Sequence, residues 1–274
     1  MPNINQLVST VVSCHWLYKN RHLDDLVILD ASVKKDKSDP SVYIPNSRYF
    51  DIKGKFSDTT DEFPNAFPSI DQFQSEARKL GINNNSIIVV YDDKGIYWSP
   101  RVWWLFKCYG FDNIAVLDGG LPEWQRLDFQ TVSDLSINTW QIGDFTAHFQ
   151  SDKIRFFHHI LDIARDKHCT ILDARSTERF QGIVPEPRAG LRSGTIPNSS
   201  NLPYTELLDG YCLKSTEELR TIFDTFELQD KALTFSCGSG ITACILALAA
   251  EILNYENLSV YDGSWTEFGT LTYE

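Results

Sequence analysis

Apolar residues along this chain follow two alternating patterns. Short runs such as VILD (27–30), IIVVYD (87–92) and IAVLD (114–118) are apolar up to a closing aspartate. Strands buried on both faces read this way, whereas a half-exposed strand alternates. Between them lie longer segments in which apolar residues return every three or four positions. SIDQFQSEARKLG (69–81) predicts an amphipathic helix that stops at Gly81. SPRVWWLFKCYG (99–110) predicts another, with Pro100 in its first turn, Gly110 at its end, and Trp103 and Trp104 on a core-facing side. Strand–helix alternation predicts an α/β fold built on a mostly parallel sheet flanked by helices.

The pattern occurs twice. LVILDAS (26–32), YIPNSRYFDI (43–52), IIVVYDDKG (87–95) and AVLDGGLPEW (115–124) are echoed by TILDARS (170–176), TIPNSSNLPY (195–204), ALTFSCGSG (232–240) and SVYDGSWTEF (259–268). Asp30 pairs with Asp173, Pro45 with Pro197, Gly95 with Gly240 and Asp118 with Asp262, at offsets of 143, 152, 145 and 144 residues. Four blocks in one order at a nearly constant spacing indicate a duplicated domain, not a solenoid. The expected division is an N-terminal domain over 1–135, a linker over 136–155 and a C-terminal domain over 156–274. Trp140, Phe145 and Phe149 are expected to anchor the joining segment.

Composition narrows the partners. The 274 residues carry 25 Lys and Arg against 37 Asp and Glu, a net charge of −12, with no basic run. Such a chain repels phosphate backbones and anionic lipid, so neither nucleic acid nor a membrane is an expected partner. No stretch approaches the ~20 apolar residues that span a bilayer. The opening MPNINQLVSTVVSCHW does not read as a signal peptide, and a cytoplasmic monomer with reduced thiols is the expectation. The six cysteines (Cys14, Cys108, Cys169, Cys212, Cys237 and Cys244) form no C-x-x-C pair, so neither a structural metal nor a cofactor is expected.

The copies differ most where the third strand ends. The first has YDDKGIYWSP and the second SCGSGITACI, so Asp92 aligns with Cys237. A thiol between a strand and a Gly-rich turn that opens a helix lies where backbone N–H groups converge. That setting stabilises a thiolate, a persulfide or an oxyanion. Asp92 marks the first unit as catalytically silent, and Cys244 is expected to face the core. A Cys-dependent phosphatase would need Arg six residues beyond the nucleophile, where Ala243 stands.

Taken together, the paired LDAS/LDAR, IPN and DG blocks, IYWSPRVWW, VLDGGLPEW, RFQGIVPEPR and CGSGIT resemble the tandem-domain rhodanese sulfurtransferases over nearly the whole chain. The neutral CGSGIT loop is similar to that of the mercaptopyruvate-preferring branch, while thiosulfate-preferring members carry basic residues there. The resemblance implies that Cys237 takes the sulfur as a persulfide. It also implies that Gly238, Gly240, Ile241 and Thr242 supply loop amides and that Ser239 lies near the transferred atom. Arg179 and Arg188 match the family's clamp on the donor carboxylate and ketone, which suits the bidentate fork of Arg.

The implied reaction moves sulfur from 3-mercaptopyruvate to cyanide or to a thiol such as thioredoxin or a small thiol, releasing pyruvate. Thiosulfate:cyanide transfer and a non-catalytic sulfur-binding module are the alternatives. The sequence departs from the family at its HIPG blocks, where Tyr43 and Thr195 replace His, and Asn46 and Asn198 replace Gly. In related enzymes a first-domain His is proposed to act with the loop Ser. A Tyr at that position, with an ordinary pKa near ~10, would not serve as a base at neutral pH.

Overall fold

The computed structural model describes residues 6–33, 42–135, 140–166, 168–228 and 231–272. Residues 136–139 of the expected linker lie outside the described residues. Two compact units form, and neither is one continuous stretch. Unit 1 comprises Met1–Asp58, Phe67–Phe149 and Asp209–Leu213; unit 2 comprises Thr59–Ala66, Gln150–Leu208 and Lys214–Glu274. A single cut between the halves therefore misses two short segments, 59–66 and 209–213, each of which joins the unit built mainly from the other half.

Unit 1 runs β1 (Val11–Val12), α1 (Cys14–Asn20), β2 (Leu26–Asp30), β3 (Ser47–Tyr49), α2 (Ile70–Lys79), β4 (Ile87–Tyr91), α3 (Ser99–Cys108), β5 (Ile114–Leu117) and α4 (Gly120–Arg126). Its sheet has the order β1-β5-β4-β2-β3, with every neighbouring pair parallel. β2 and β4 are buried at every position, as their unbroken apolar runs require. The helices start and stop where the sequence signals them. The Ser69 side chain accepts the Gln72 N–H at the start of α2, Pro100 occupies the first turn of α3, and Gly81 and Gly110 follow the two helix ends with positive φ.

The buried face of α2 presents Phe73, whose ring stacks on Tyr109 at 4.3 Å and meets Phe106 edge-on at 5.0 Å. Each fully buried Phe of this kind contributes roughly 1.5–3 kcal/mol. Trp103 and Trp104 are fully buried on α3. The joining segment up to Phe149 belongs to unit 1. Phe145 is buried against Phe73, Phe106 and Phe111, Trp140 lies under the Arg48 guanidinium, and Phe149 stays at the exposed edge beside Phe67.

Unit 2 repeats the plan with β6 (Ile154–Arg155), α5 (Phe157–Ile163), β7 (Cys169–Asp173), α6 (Thr177–Phe180) and β8 (Ser199–Asn201). A short hairpin of β9 (Leu208–Asp209) and β10 (Cys212–Leu213), whose residues 209–213 belong to unit 1, precedes α7 (Thr216–Phe223), β11 (Ala232–Ser236), α8 (Ala243–Ile252), β12 (Leu258–Tyr261) and α9 (Ser264–Leu271). The sheet order β6-β12-β11-β7-β8 is again wholly parallel and matches unit 1 strand for strand. Asn46 and Asn198 adopt φ of 63° and 58°, the left-handed conformation that a Gly would otherwise supply, and Asn tolerates it best among other residues. Ile44 and Ile196, two residues earlier, are fully buried. Among the described residues no helix is long and apolar enough to cross a membrane.

Two thiols of unit 1 share an acidic environment. Burial, followed by the charges of Glu123 and Asp118, pushes both Cys14 and Cys212 up to about 12. At pH 8 the thiolate of such a group is on the order of one part in ten thousand. Cys212 is only half-buried, yet it is expected to resist iodoacetamide at pH 8 in the folded protein and to react once urea is added. Peptide mapping by mass spectrometry checks this; rapid labelling of native Cys212 at pH 8 would contradict the assignment.

Candidate active site

β11 is the central strand of unit 2, flanked by β12 and β7. Cys237 follows it directly, and the loop 238–242 leads into α8. The Cys237 side chain is buried, while Gly238 and Ser239 above it are partly exposed. Gly240 turns the loop at φ 76°. The Cys237 carbonyl accepts the Trp265 N–H, and the Gly238 carbonyl accepts the Thr266 N–H, each at 3.0 Å, so the loop is laced to the first turn of α9. Among the described residues the N–H groups of Ser239, Ile241, Thr242 and Ala243 donate to no other group. Cys244 is fully buried in α8, its thiol donating to the Gly240 carbonyl at 3.4 Å.

One hydroxyl organises the underside of this loop. Ser264 Oγ accepts the N–H of Cys237 at 3.0 Å and of Gly240 at 3.1 Å, donates to the Tyr261 carbonyl at 2.9 Å, and lies 3.8 Å from Cys237 Sγ. Ser264 holds φ 51°, a left-handed conformation rare outside glycine. Its counterpart in unit 1, Gly120, has φ 50°, and a Cβ there would come 2.5 Å from both the Asp92 and the Gly95 carbonyl oxygens. The backbone turn is thus common to both units, but only unit 2 has room for a side chain beneath its loop.

The equivalent loop of unit 1 shows what such a turn binds. Asp92 is buried, and its Oδ1 accepts the Lys94 N–H at 2.9 Å. Its Oδ2 accepts the N–H groups of Tyr97, Trp98 and Ser99 at 3.0, 2.9 and 2.9 Å and the Ser99 hydroxyl at 2.7 Å. A carboxylate that converts four backbone donors into charge-assisted hydrogen bonds is the anion for which the nest is shaped. Cys237 stands at the same point of unit 2, and its side chain carries no carboxylate to take up the corresponding N–H groups.

A chain of buried charges reaches the loop from the end of β7. Asp173 receives Arg175 through Nε at 3.1 and 3.0 Å and through Nη2 at 2.7 Å. Arg175 Nη1 binds Glu186 at 2.8 Å, and its Nη2 donates to the Gly194 carbonyl at 3.0 Å. Glu186 in turn receives Arg179 through Nη2 and Nε. Burial opposes the Arg175 charge, but the hydrogen bonds and charges of Asp173 and Glu186 outweigh it and hold its pKa above the ordinary value. Arg179, the only partly exposed member, arrives beside the cysteine loop. A Cβ on Gly238 would stand 3.0 Å from its Nη2, so the guanidinium lies directly beside this glycine.

Known proteins are similar to this chain in sequence and fold. The model of the Rhodanese-like domain matches residues 13–127 and 158–270, one per repeat. The chain belongs to the rhodanese family. It is 36% identical to the thiosulfate/3-mercaptopyruvate sulfurtransferase 1, mitochondrial, of Arabidopsis thaliana, over 95% of this chain and 76% of the relative. It is 35% identical to the 3-mercaptopyruvate sulfurtransferase of Escherichia coli K12 over 94% of each chain. The crystal structure of SseA from Escherichia coli, described as a 3-mercaptopyruvate sulfotransferase, superposes with a TM-score of 0.81 at 31% identity, covering 94% of this chain and 99% of that one. The molecule is therefore a tandem rhodanese of the sulfurtransferase class.

Within this rhodanese site, the structure brings together Cys237, Gly238, Ser239, Gly240, Ile241, Thr242 and Arg179. Arg188 is exposed on the 181–194 loop, with no side-chain partner among the described residues. Tyr43, at the position where the resemblance implies a relay His, packs inside unit 1 and bridges to Val132. The side chain that meets Ser239 is Asn65, through Nδ2. Ser264, Glu186 and Asn65 escape a reading of the sequence. Ser264 sits in the DGS turn and Glu186 inside RFQGIVPEPR, so the departure of Ser from the first copy's Gly is the one available signal; Asn65 carries none.

The charge chain sets a stability test. Replacing Glu186 with Ala leaves Arg175 short of a partner in a dry site, and the expected loss is about 3–5 kcal/mol. Urea denaturation of the variant beside wild type measures it; an unchanged midpoint would show that the network is solvated.

Proposed function

We propose that the chain transfers sulfur from 3-mercaptopyruvate, through a persulfide on Cys237, to a thiol or cyanide acceptor, releasing pyruvate. The observation that carries this reading is that the N–H groups of the loop after Cys237 have no other acceptor among the described residues, where the duplicate unit gives its donors a carboxylate. A group that becomes negatively charged sulfur fits those donors. The names of relatives at 34–36% identity, from bacteria, plants and mammals, support the donor.

In the first half-reaction the Cys237 thiolate attacks the donor sulfur. The C–S bond breaks with its electron pair going to carbon, which leaves the enolate of pyruvate. The former thiol proton of the donor ends on that carbon, so the products are pyruvate and a deprotonated Cys237 persulfide. Arg179 lies beside Gly238 with its Nη1 unpartnered among the described residues, suited to the donor carboxylate. Arg188 completes the clamp in this proposal from its exposed loop. The outer sulfur carries charge that the N–H groups of Ser239, Thr242 and Ala243 receive, an electrostatic role of the kind that dominates such catalysis. In the second half-reaction an acceptor such as a small thiol or thioredoxin gives up a proton and takes the outer sulfur, restoring the Cys237 thiolate. Cyanide accepts the same sulfur as thiocyanate. The two steps form a ping-pong cycle.

Thiosulfate is a second donor to consider, because the Arabidopsis relative is named for both. The Gly238-Ser239-Gly240 loop offers no side-chain cation to a dianion, and mercaptopyruvate is expected to be the better donor.

Treatment with mercaptopyruvate should add one sulfur to Cys237 in an intact-mass measurement and release one equivalent of pyruvate. Cys237→Ser should do neither, and turnover with thiosulfate should be weaker. Sulfur gain without turnover would leave a carrier module; no gain at all would end the proposal. Ser264→Gly tests the hydroxyl beneath the loop. It keeps the left-handed turn that glycine adopts freely, but it removes the acceptor that the buried Cys237 and Gly240 N–H groups share, so folding stability should fall by about 1–3 kcal/mol. Losing the acceptor for the Cys237 and Gly240 N–H groups should lower kcat roughly 10- to 100-fold, about 1.4–2.7 kcal/mol. A wild-type kcat would remove Ser264 from the mechanism.

A further inference from the structure

The segment Thr59–Ala66 comes from the N-terminal half of the chain and belongs to unit 2. Burial raises the Glu267 carboxyl in α9, and the charges of Asp262, Asp61 and Glu62 add to it. Asn65 follows at φ 58°. Its Nδ2 donates to Ser239 O at 3.2 Å and to Ser239 Oγ at 3.1 Å.

These two contacts fix the direction of every proton involved. A carbonyl oxygen only accepts, so the Asn65 atom facing Ser239 O has to be the amide nitrogen and not Oδ1. The same NH2 group then donates to the Ser239 hydroxyl and occupies one of its lone pairs. A hydroxyl has a single proton, and with its oxygen already accepting, that proton is left to donate elsewhere. Ser239 is two residues from Cys237, at the partly exposed top of the loop.

We propose that Asn65 is a positioning residue that sets the polarity of Ser239, presenting the hydroxyl as a hydrogen-bond donor to the substrate group reacting at Cys237. This rests on the sulfur-transfer reading above. In the first half-reaction, charge develops on the keto oxygen as the C–S bond breaks, and a preoriented O–H directed at that oxygen stabilises the transition state more than the ground state. A carboxamide neither takes nor gives a proton near neutrality, so Asn65 orients Ser239 without deprotonating it. The site therefore works here by donation from a fixed hydroxyl and not by a base acting on Ser239.

The test is single-turnover pyruvate release from mercaptopyruvate, with sulfur gain on Cys237 followed by mass and folding followed by thermal melting. Asn65→Ala should lower the first-turnover rate roughly 10-fold with little change in donor KM. Ser239→Ala should lower it by a similar factor, and the double variant should be no slower than Ser239→Ala alone. Asn65→Asp keeps the size and shape of the side chain but has only acceptors when ionised. It should be at least as slow as Asn65→Ala, whereas a role limited to filling space would be rescued by it. Should Asn65→Ala fail to fold, the Asp variant carries the test.

A wild-type rate in either Asn65 variant, or losses that multiply with that of Ser239→Ala, would overturn the proposal while wild type still loads Cys237. Failure of wild type to gain sulfur would sink the reaction and this inference together.

Discussion

Both units end their central strand in the same way, with a short turn whose backbone N–H groups converge just before a helix. Donors gathered like this have to meet negative charge or solvent, because a buried N–H left unpaired costs about 1–3 kcal/mol. Unit 1 meets the demand internally, with the Asp92 carboxylate taking the N–H groups of Lys94, Tyr97, Trp98 and Ser99. Unit 2 puts a cysteine at the same point, and the N–H groups of Ser239, Ile241, Thr242 and Ala243 there have no other acceptor among the described residues. A single position thus separates a self-filled nest from one that, under the proposed reaction, is filled by transferred sulfur.

The surrounding differences follow from that choice. Beneath the loop, Gly120 and Ser264 share a left-handed turn, but only Ser264 adds a hydroxyl that grips two loop amides. At the end of the second strand of each unit, Asp30 caps Ser32, whereas Asp173 binds Arg175. That exchange of Ser for Arg starts the buried chain through Glu186 to Arg179. Alternating charges make such a chain tolerable in a dry interior, since each cation lies between carboxylates or at the solvent edge. Its geometric result is a guanidinium held against Gly238 before any substrate arrives, which lowers the ordering cost of binding a carboxylate.

How much of this was legible in the sequence depended on whether the signal was local. The buried strands, the Ser69 and Pro100 helix starts and the Gly81 and Gly110 stops rest on spacing within a dozen residues, and the fold repeats them. The exchange of Asp92 for Cys237 was visible because duplication supplies its own alignment. Asn46 and Asn198 looked like departures from a glycine and turn out to keep its conformation. Tyr43 misled for the opposite reason. It occupied a position associated with a relay, yet the group at Ser239 comes from 59–66, an irregular segment with no periodicity to mark it. Ser264 and Glu186 act only through tertiary contacts, so no spacing rule would find them.

Two short segments are exchanged between the halves of the chain. Residues 209–213 bring Tyr211 against Gly95 in the loop of unit 1, where a Cβ on that glycine would lie 2.7 Å from the Tyr211 carbonyl oxygen. Residues 59–66 bring Asn65 to Ser239 in the corresponding loop of unit 2. Gly95 aligns with Gly240, so each N–H nest is covered at nearly the same place by a piece of chain from the opposite half. A C-terminal half expressed without residues 59–66 would keep Cys237, Arg179 and Ser264 but lose the donor that orients Ser239. Under the proposed role of Asn65, the first half of the chain contributes a residue to the second half's site.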